Sequence, residues 1–316
     1  MDDSGRTRIR IPLGERFADL WLFRGRHGHV LFDTGVKGTI REAVIPTLEG
    51  LGIAPESVEA VVVSHLDVDH AGDVGNVSHL LPNAEVIAHE SDAAAMSDWA
   101  TFSAQRGQEF SQGWGLHETP AAIDWMRNAF APGKIDRILQ HEDKLELDDG
   151  RVLEVWHVPG HTRGHLALYD SWADSLAISD AILGSAVPFA DGSPSFPPTY
   201  RHVDLYLSTI QRVQECAPRT LLTAHYGDFV GADVTHFLEE SVSFVHTLDR
   251  VVRDILSSEG KTLAQIVQEA NPVVASWPVE GTNTALAFPV SGHLERMLAA
   301  EEIQKKDGHS GWEWTR

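Results

Sequence analysis

The chain is poor in cysteine, in basic charge and in long apolar runs. Cys216 is the single cysteine among 316 residues, so no internal disulfide and no thiolate metal site can form, which excludes a disulfide-stapled scaffold or a zinc ribbon. Lysine and arginine number 25 against 46 aspartates and glutamates, giving a net charge of −21. Such a field repels a phosphate backbone, and no basic cluster offsets it locally, so nucleic acid is not an expected partner. No apolar run approaches the roughly 20 residues of a membrane span. The start, Met1-Asp2-Asp3, has neither the basic nor the apolar part of a signal peptide. The expectation is a reduced, cytoplasmic setting without a membrane partner. Repeats and low-complexity tracts are also lacking, and a hydrophobic content of 42% is enough for a large core.

What is present is an alternation of short β-like runs and helical stretches. Val58 to Val63, Ala84 to Ala88, Val152 to Val158, Leu176 to Ile178 and Leu221 to Thr223 read as buried strands, with helical pattern between several of them. Sheets covered by helices are the architecture this implies. Residues 91–140 read as a helical insertion without strand signal. They carry Trp99, Phe102, Trp114, Trp125 and Phe130, too aromatic for plain surface, which suggests a lid or a pocket wall. A loop rich in proline and aromatics, Val187 to Tyr200, follows later. Beyond His225 the texture becomes amphipathic and helical, so a boundary near Gly231 divides residues 1–231 from a helical region at 232–316. Long helices there would suit a homodimer interface.

Four segments carry the chemistry: Ser64-His65-Leu66-Asp67-Val68-Asp69-His70, Gly160-His161-Thr162-Arg163-Gly164-His165, Ser179-Asp180-Ala181 and Ala224-His225-Tyr226. Each follows a strand-like run, so their imidazoles and carboxylates would meet at strand ends. Both donor types bind borderline and hard divalent ions, and imidazole is largely neutral at pH 7. A solvated polar loop would explain any one segment alone, but not four. Asp180, at the end of an apolar strand, would be costly to bury without a partner or a metal. His165 reads better as a supporting residue than as a ligand.

These segments, in this order, resemble the metallo-β-lactamase superfamily over about the first 230 residues. The resemblance implies an α/β (α+β) fold, a four-layer αββα sandwich with its site at one edge, followed here by a helical, winged-helix-like C-terminal extension. It matches Asp33, in Phe32-Asp33-Thr34-Gly35, to a carboxylate that supports the site without ligating. It also implies two divalent metal ions, most readily zinc: one held by His65, Asp67 and His161, the other by Asp69, His70 and His225, with Asp180 between them. Asp69 would orient and deprotonate a metal-bridging hydroxide's precursor water.

One departure is visible. Asp67 stands where the family usually has histidine, which would make the first site harder and favour iron or manganese more than three imidazoles would. The expected activity is hydrolysis of a small-molecule ester, thioester, lactone or related bond. A di-iron redox or oxygenase-type enzyme, motivated by Asp67, and a non-catalytic metal-binding regulatory protein are the alternatives. Leu183 occupies the place of the tyrosine common in the family's lactonases, which disfavours homoserine lactones. Trp99, Trp114, Phe189, Phe196 and Tyr200 are the candidate substrate contacts, suggesting an apolar or aromatic acyl or alkoxy group.

Overall fold

The computed structural model describes residues 5–26, 28–147, 150–274, 277 and 282–316. Strands β1 (Arg6–Leu13), β2 (Arg16–Arg24), β3 (His29–Phe32), β4 (Val58–Val62), β5 (Glu85–Ala88) and β6 (Arg137–Ile138) form the first sheet in that order. The first two pairings are antiparallel and the remaining three parallel. The second sheet contains β7 (Lys144–Glu146), β8 (Val152–His157), β9 (Leu166–Asp170) and β10 (Ser175–Ser179). After a small β11–β12 hairpin (Val187–Pro188 and Pro194–Phe196), β13 (Thr220–Thr223) joins it parallel to β10, and β14 (Asp228–Val230) closes the edge.

Both sheets are buried on two faces, and the period-2 alternation of their strands sorts side chains into separate layers. In β2, Trp21 and Phe23 face the second sheet while Leu20 and Leu22 face helices. In β4, Ala60 and Val62 point inward and Val61 outward. Ala177 of β10 and Leu222 of β13 meet them from the opposite sheet, and Leu176 and Leu221 turn to the helices beyond. Near-continuous apolar runs therefore read correctly as strands with helices on each side, a four-layer αββα sandwich.

Helices α1 (Ile45–Leu51), α2 (Val68–Ala71), α3 (Val77–Leu80), α4 (Glu90–Ser97) and α5 (Trp99–Phe102) lie on the first sheet's side, with α6 (Pro120–Asn128) beyond them. On the second sheet's side lie α7 (Val203–Cys216), α8 (Ala232–Ile255), α9 (Leu263–Val274) and α10 (Thr282–Ala299). Among the described residues no helix is long and apolar enough to cross a membrane.

Two segments differ from the sequence reading. Residues 91–140 are not wholly helical, because Arg137–Ile138 adds β6 alongside Ile87 and Ala88. Two residues are too short to leave a periodic signal. The tail is not wholly helical either: β16 (Gln304–Gly308) and β17 (Gly311–Thr315) form a hairpin, flanked by β15 (Lys261–Thr262). Trp312 and Trp314, two apart in β17, are the alternation that signals it. Trp114 of the insertion stacks on Trp314, with ring centroids 5.2 Å apart, and meets Trp312 edge-on at 5.3 Å. The insertion and the tail are thus packed on one another through aromatics.

Trp314 is fully buried, so Trp314→Ala should lower the unfolding free energy by about 3–5 kcal/mol. Urea denaturation should show a lower midpoint at an unchanged slope.

Candidate metal centre

Every candidate donor lies just beyond the C-terminal end of a strand. Asp33 and His65 follow the parallel pair β3 and β4, while Asp180 and His225 follow the parallel pair β10 and β13. Parallel neighbours end on the same side, so three donors and the supporting Asp33 reach one edge of the sandwich without any long loop. His161 arrives from the turn after β8, and Asp69 and His70 from the short helix α2. Backbone bonds stitch the sheets together here: Leu166 N donates to Ser64 O at 2.8 Å and Asp19 N to Ala224 O at 2.7 Å.

Two groups of three donors converge. In each of the sets His65, His161, Asp180 and Asp69, His70, His225, the donor atoms lie within 4.8 Å of one another. The His65 and His70 rings are 4.3 Å apart between centroids. Tautomers are assigned by the outer ring nitrogens. His225 Nδ1 donates to Phe17 O at 2.7 Å, and His70 Nδ1 to Asp33 Oδ2 at 3.0 Å, which leaves both Nε2 lone pairs facing the site. His65 Nδ1 contacts Ser64 Oγ at 2.9 Å; that hydroxyl donates to Ser179 Oγ at 3.1 Å, which donates in turn to Asp33 Oδ2 at 2.8 Å.

A metal fits these residues by a direct criterion. Among the described residues, His65 Nε2, His70 Nε2 and Asp180 Oδ1 are buried and have no hydrogen-bond partner. Buried polar atoms are nearly always satisfied, and these three are the atoms a cation would take. Electrostatics agree: burial and the nearby His70 push His65 down to about 3, so its imidazole is in the neutral, ligating form. Burial alone would raise the Asp180 carboxyl, but His225 and His70 hold it well below the usual carboxylate range. At His70 burial opposes charge, yet Asp69, Asp180 and Asp33 raise the imidazole well above its usual value, so these carboxylates favour a positive charge at this position and a metal would bind here in place of the imidazole proton.

His165 stacks on His65 with centroids 4.5 Å apart, and its Nδ1 contacts Leu166 O at 3.0 Å; it supports the His65 ring. Asp67 is placed differently from the expectation drawn for it. Its Oδ1 accepts from Arg106 Nε at 2.6 Å and its Oδ2 from Arg106 Nη2 at 2.7 Å, so both carboxylate oxygens are engaged by one guanidinium. Burial would raise the Asp67 carboxyl, but Arg106 and the two histidines beside it hold it well below the usual range. Asp67 belongs to neither set of converging donors.

The sequence reading also missed Asp92. Its carboxylate accepts from Leu66 N (3.3 Å), Thr162 Oγ1 (2.7 Å) and Gly164 N (2.9 Å), tying the His65 and His161 loops to α4. Gly164 is required there, since a Cβ would lie 2.5 Å from Asp92 Oδ1. As an acidic residue in a helix's first turn, Asp92 looks in sequence like an ordinary helix-start carboxylate.

A cavity of about 610 Å³ opens over the donors and is lined in part by Asp69, Asp180 and His225. Its walls are mainly apolar: Phe102, Trp125 and Met126 from the insertion, Phe196 from β12, and Ala285 and Phe288 from α10. Of the five aromatics proposed as substrate contacts, Phe196 lines this cavity. Trp99 packs on Phe102 and Phe130, Trp114 on the tail tryptophans, and Tyr200 on Tyr206 with its hydroxyl 2.9 Å from His293 Nε2. Phe189 is half-buried at the β11–β12 turn. Trp99, Trp114 and Tyr200 supply packing because their positions face the core rather than the cavity. Phe288 was missed, lying in a tail segment with no aromatic neighbour to flag it.

Residues 13–225 match the sequence profile of the metallo-beta-lactamase superfamily. The chain belongs to this superfamily. It is similar to the acyl-coenzyme A thioesterase MBLAC2 of Gallus gallus, 28% identical over 228 residues, covering 67% of this chain and 73% of that one. A metallo-beta-lactamase family protein from Thermus thermophilus superposes with a TM-score of 0.73 at 22% identity, covering 99% of this chain and 98% of the other. A beta-lactamase domain protein from Burkholderia ambifaria gives 0.72 at 19% identity, covering 100% and 92%. Both structures carry the same superfamily fold through the C-terminal helical region.

Asp33→Ala should weaken metal binding by about 10–100-fold, because His70 and Ser179 lose the carboxylate that orients them. Competition against a chromophoric chelator measures this, and unchanged affinity would remove Asp33 from the supporting role.

Proposed function

We propose that the chain is a metal-dependent hydrolase that cleaves an acyl thioester, or a related small ester or lactone bond, with the acyl group housed in the apolar cavity. The observation carrying this reading is the convergence of two sets of donors, among them the partnerless His65 Nε2, His70 Nε2 and Asp180 Oδ1, beside a cavity lined by Asp69, Asp180 and His225. Similarity to an acyl-coenzyme A thioesterase favours the thioester among these bonds. The cavity volume lies within the usual range for small-molecule sites, roughly 300–1,000 Å³.

His65, His161 and Asp180 would hold one divalent ion and Asp69, His70 and His225 another, zinc before iron or manganese. Ions bound there supply Lewis acidity, which lowers the pKa of water toward neutrality and polarises the scissile carbonyl. Asp69 is the most open of these donors, its side chain 23% exposed, with Oδ2 at 3.6 Å from His225 Nε2 and 3.7 Å from His70 Nε2. From the cavity floor it would orient the attacking water and accept its proton at Oδ2. Phe102, Met126, Phe196 and Phe288 would take the acyl chain and keep bulk water from the reacting carbon. Arg16, whose guanidinium lies 4.8 Å over the Phe196 ring, offers a cation beside that acyl site to an anionic leaving group.

The di-iron redox alternative drew on Asp67 as a ligand. With both of its oxygens engaged by Arg106, that motive weakens, and hydrolysis is the better supported reading.

Chelation should abolish hydrolysis of medium-chain acyl thioesters and added zinc should restore it, followed by thiol release; turnover that survives exhaustive chelation would overturn metal dependence. Asp69→Asn should lower kcat by about 10²–10⁴-fold with little change in KM. Near-normal kcat in steady-state assays would sink the proton-accepting role.

A further inference from the structure

The two donor sets are not equivalent, and the difference lies in one arginine. Arg106 sits in the π-helical turn Ser103–Gly107 of the insertion. Its guanidinium is nearly inaccessible and forks onto Asp67, with N–O distances of 2.6 and 2.7 Å. Nη2 also lies 3.1 Å from His161 Nε2, and the same His161 nitrogen is 3.1 Å from Asp67 Oδ2. On its other side the guanidinium covers the Phe288 ring at 4.0 Å. A fixed positive charge therefore stands against the very atom through which His161 would ligate.

Among the described residues, no arginine or lysine stands against the other set. His70 Nε2 has no hydrogen-bond partner among the described residues, and the contacts of His225 Nε2 and Asp69 Oδ2 are with one another, with His70 and with the neighbouring Asp180. Among the described residues, a cation entering there meets Asp69 and Asp180 with no arginine or lysine fork to displace. Entering the His65–His161 side requires it to compete with a planar, bidentate ion pair, the geometry in which arginine binds carboxylate best.

We propose that Arg106 is an internal counter-cation of the His65–His161 half, so that the chain binds one divalent ion tightly at Asp69, His70 and His225 with Asp180, and a second only by displacing the Arg106 fork. This rests on the metal-dependent reading above and ranks its two sites. It also gives Asp67 a role: the carboxylate that replaces the family's usual histidine anchors the arginine. Because Arg106 belongs to the insertion and packs on α10, filling the second site is coupled to the wall of the cavity.

The test is a zinc titration of the chelator-stripped full chain against a competing chromophoric chelator, with native mass spectrometry giving the stoichiometry. Wild type should take up its first ion at least 100-fold more tightly than its second. Arg106→Gln should tighten the second event tenfold or more and leave the first unchanged. Two ions of equal affinity in wild type would overturn the proposal, and this arm needs no variant to fold. An unchanged gap in an Arg106→Gln protein with wild-type circular dichroism would overturn it as well, leaving the ion pair as a mere latch for the insertion. Metal binding is read without substrate, so failure here is distinct from failure to hydrolyse a thioester; no zinc uptake at all would instead defeat the metal-dependent reading itself.

Discussion

The Asp33 carboxylate joins parts of the site that come from different sheets. Its Oδ1 accepts from Ser64 N at 2.7 Å, just after β4, while its Oδ2 accepts from Ser179 Oγ at the end of β10 and from His70 Nδ1 on α2. To reach all three, Asp33 takes a backbone φ of 73°, a conformation that side-chain-bearing residues seldom adopt. Ser179, at φ 47°, is strained in the same sense. Strain at two adjoining positions is tolerated when the surrounding bonds over-determine it. Here those bonds fix the tautomer of His70 and, through Ser179 and Ser64, the orientation of His65. A charge that ligates nothing thus decides where the ligating atoms point.

The same economy explains which features were legible in the sequence. Donors at strand ends were visible because a buried parallel strand is a continuous apolar run, and the polar residue that ends it stands out: Val58 to Val63 before His65, Leu176 to Ile178 before Asp180, Leu221 to Thr223 before His225. The layered architecture followed from those runs and from the helical pattern between them. Arg106 left no such trace, since one arginine in an aromatic stretch has no spacing relation to Asp67, 39 residues earlier. Asp92 was hidden by its ordinary position in the first turn of α4. Aromatics misled for a related reason. Composition reveals that Trp99, Trp114 and Tyr200 must be covered, but not whether a cavity or the core covers them.

Asp67 shows how far a motif can carry an inference. Position within the motif made it a ligand by resemblance, and a carboxylate there would have hardened the metal site. In the fold its carboxylate is held by a partner from the insertion, because two charge-assisted bonds to one guanidinium engage both oxygens. The substitution of carboxylate for imidazole is therefore intelligible only together with Arg106. Neither residue alone would be well placed: a buried arginine without Asp67 would be an unpaired charge, and Asp67 without the arginine would crowd a further anion against Asp69 and Asp180.

The donors and the cavity walls have different origins along the chain. All the converging histidines and aspartates fall within residues 13–225, the stretch that matches the superfamily. Phe288 and Ala285 lie beyond it on α10, and Phe102, Trp125, Met126 and Arg106 lie in the insertion. These two regions are bound to each other through Trp114, Trp312 and Trp314 and through Arg201, which pairs with Glu109 of the insertion at 2.5 Å and with Glu295 of α10 at 2.6 Å. Rigidity of the wall thus depends on contacts remote from the reacting centre. Chemistry set by the strand ends can stay constant while α10 and the insertion change the shape of the cavity, so the shape of the ligand that the cavity admits should follow the residues of those two segments rather than the donor motifs.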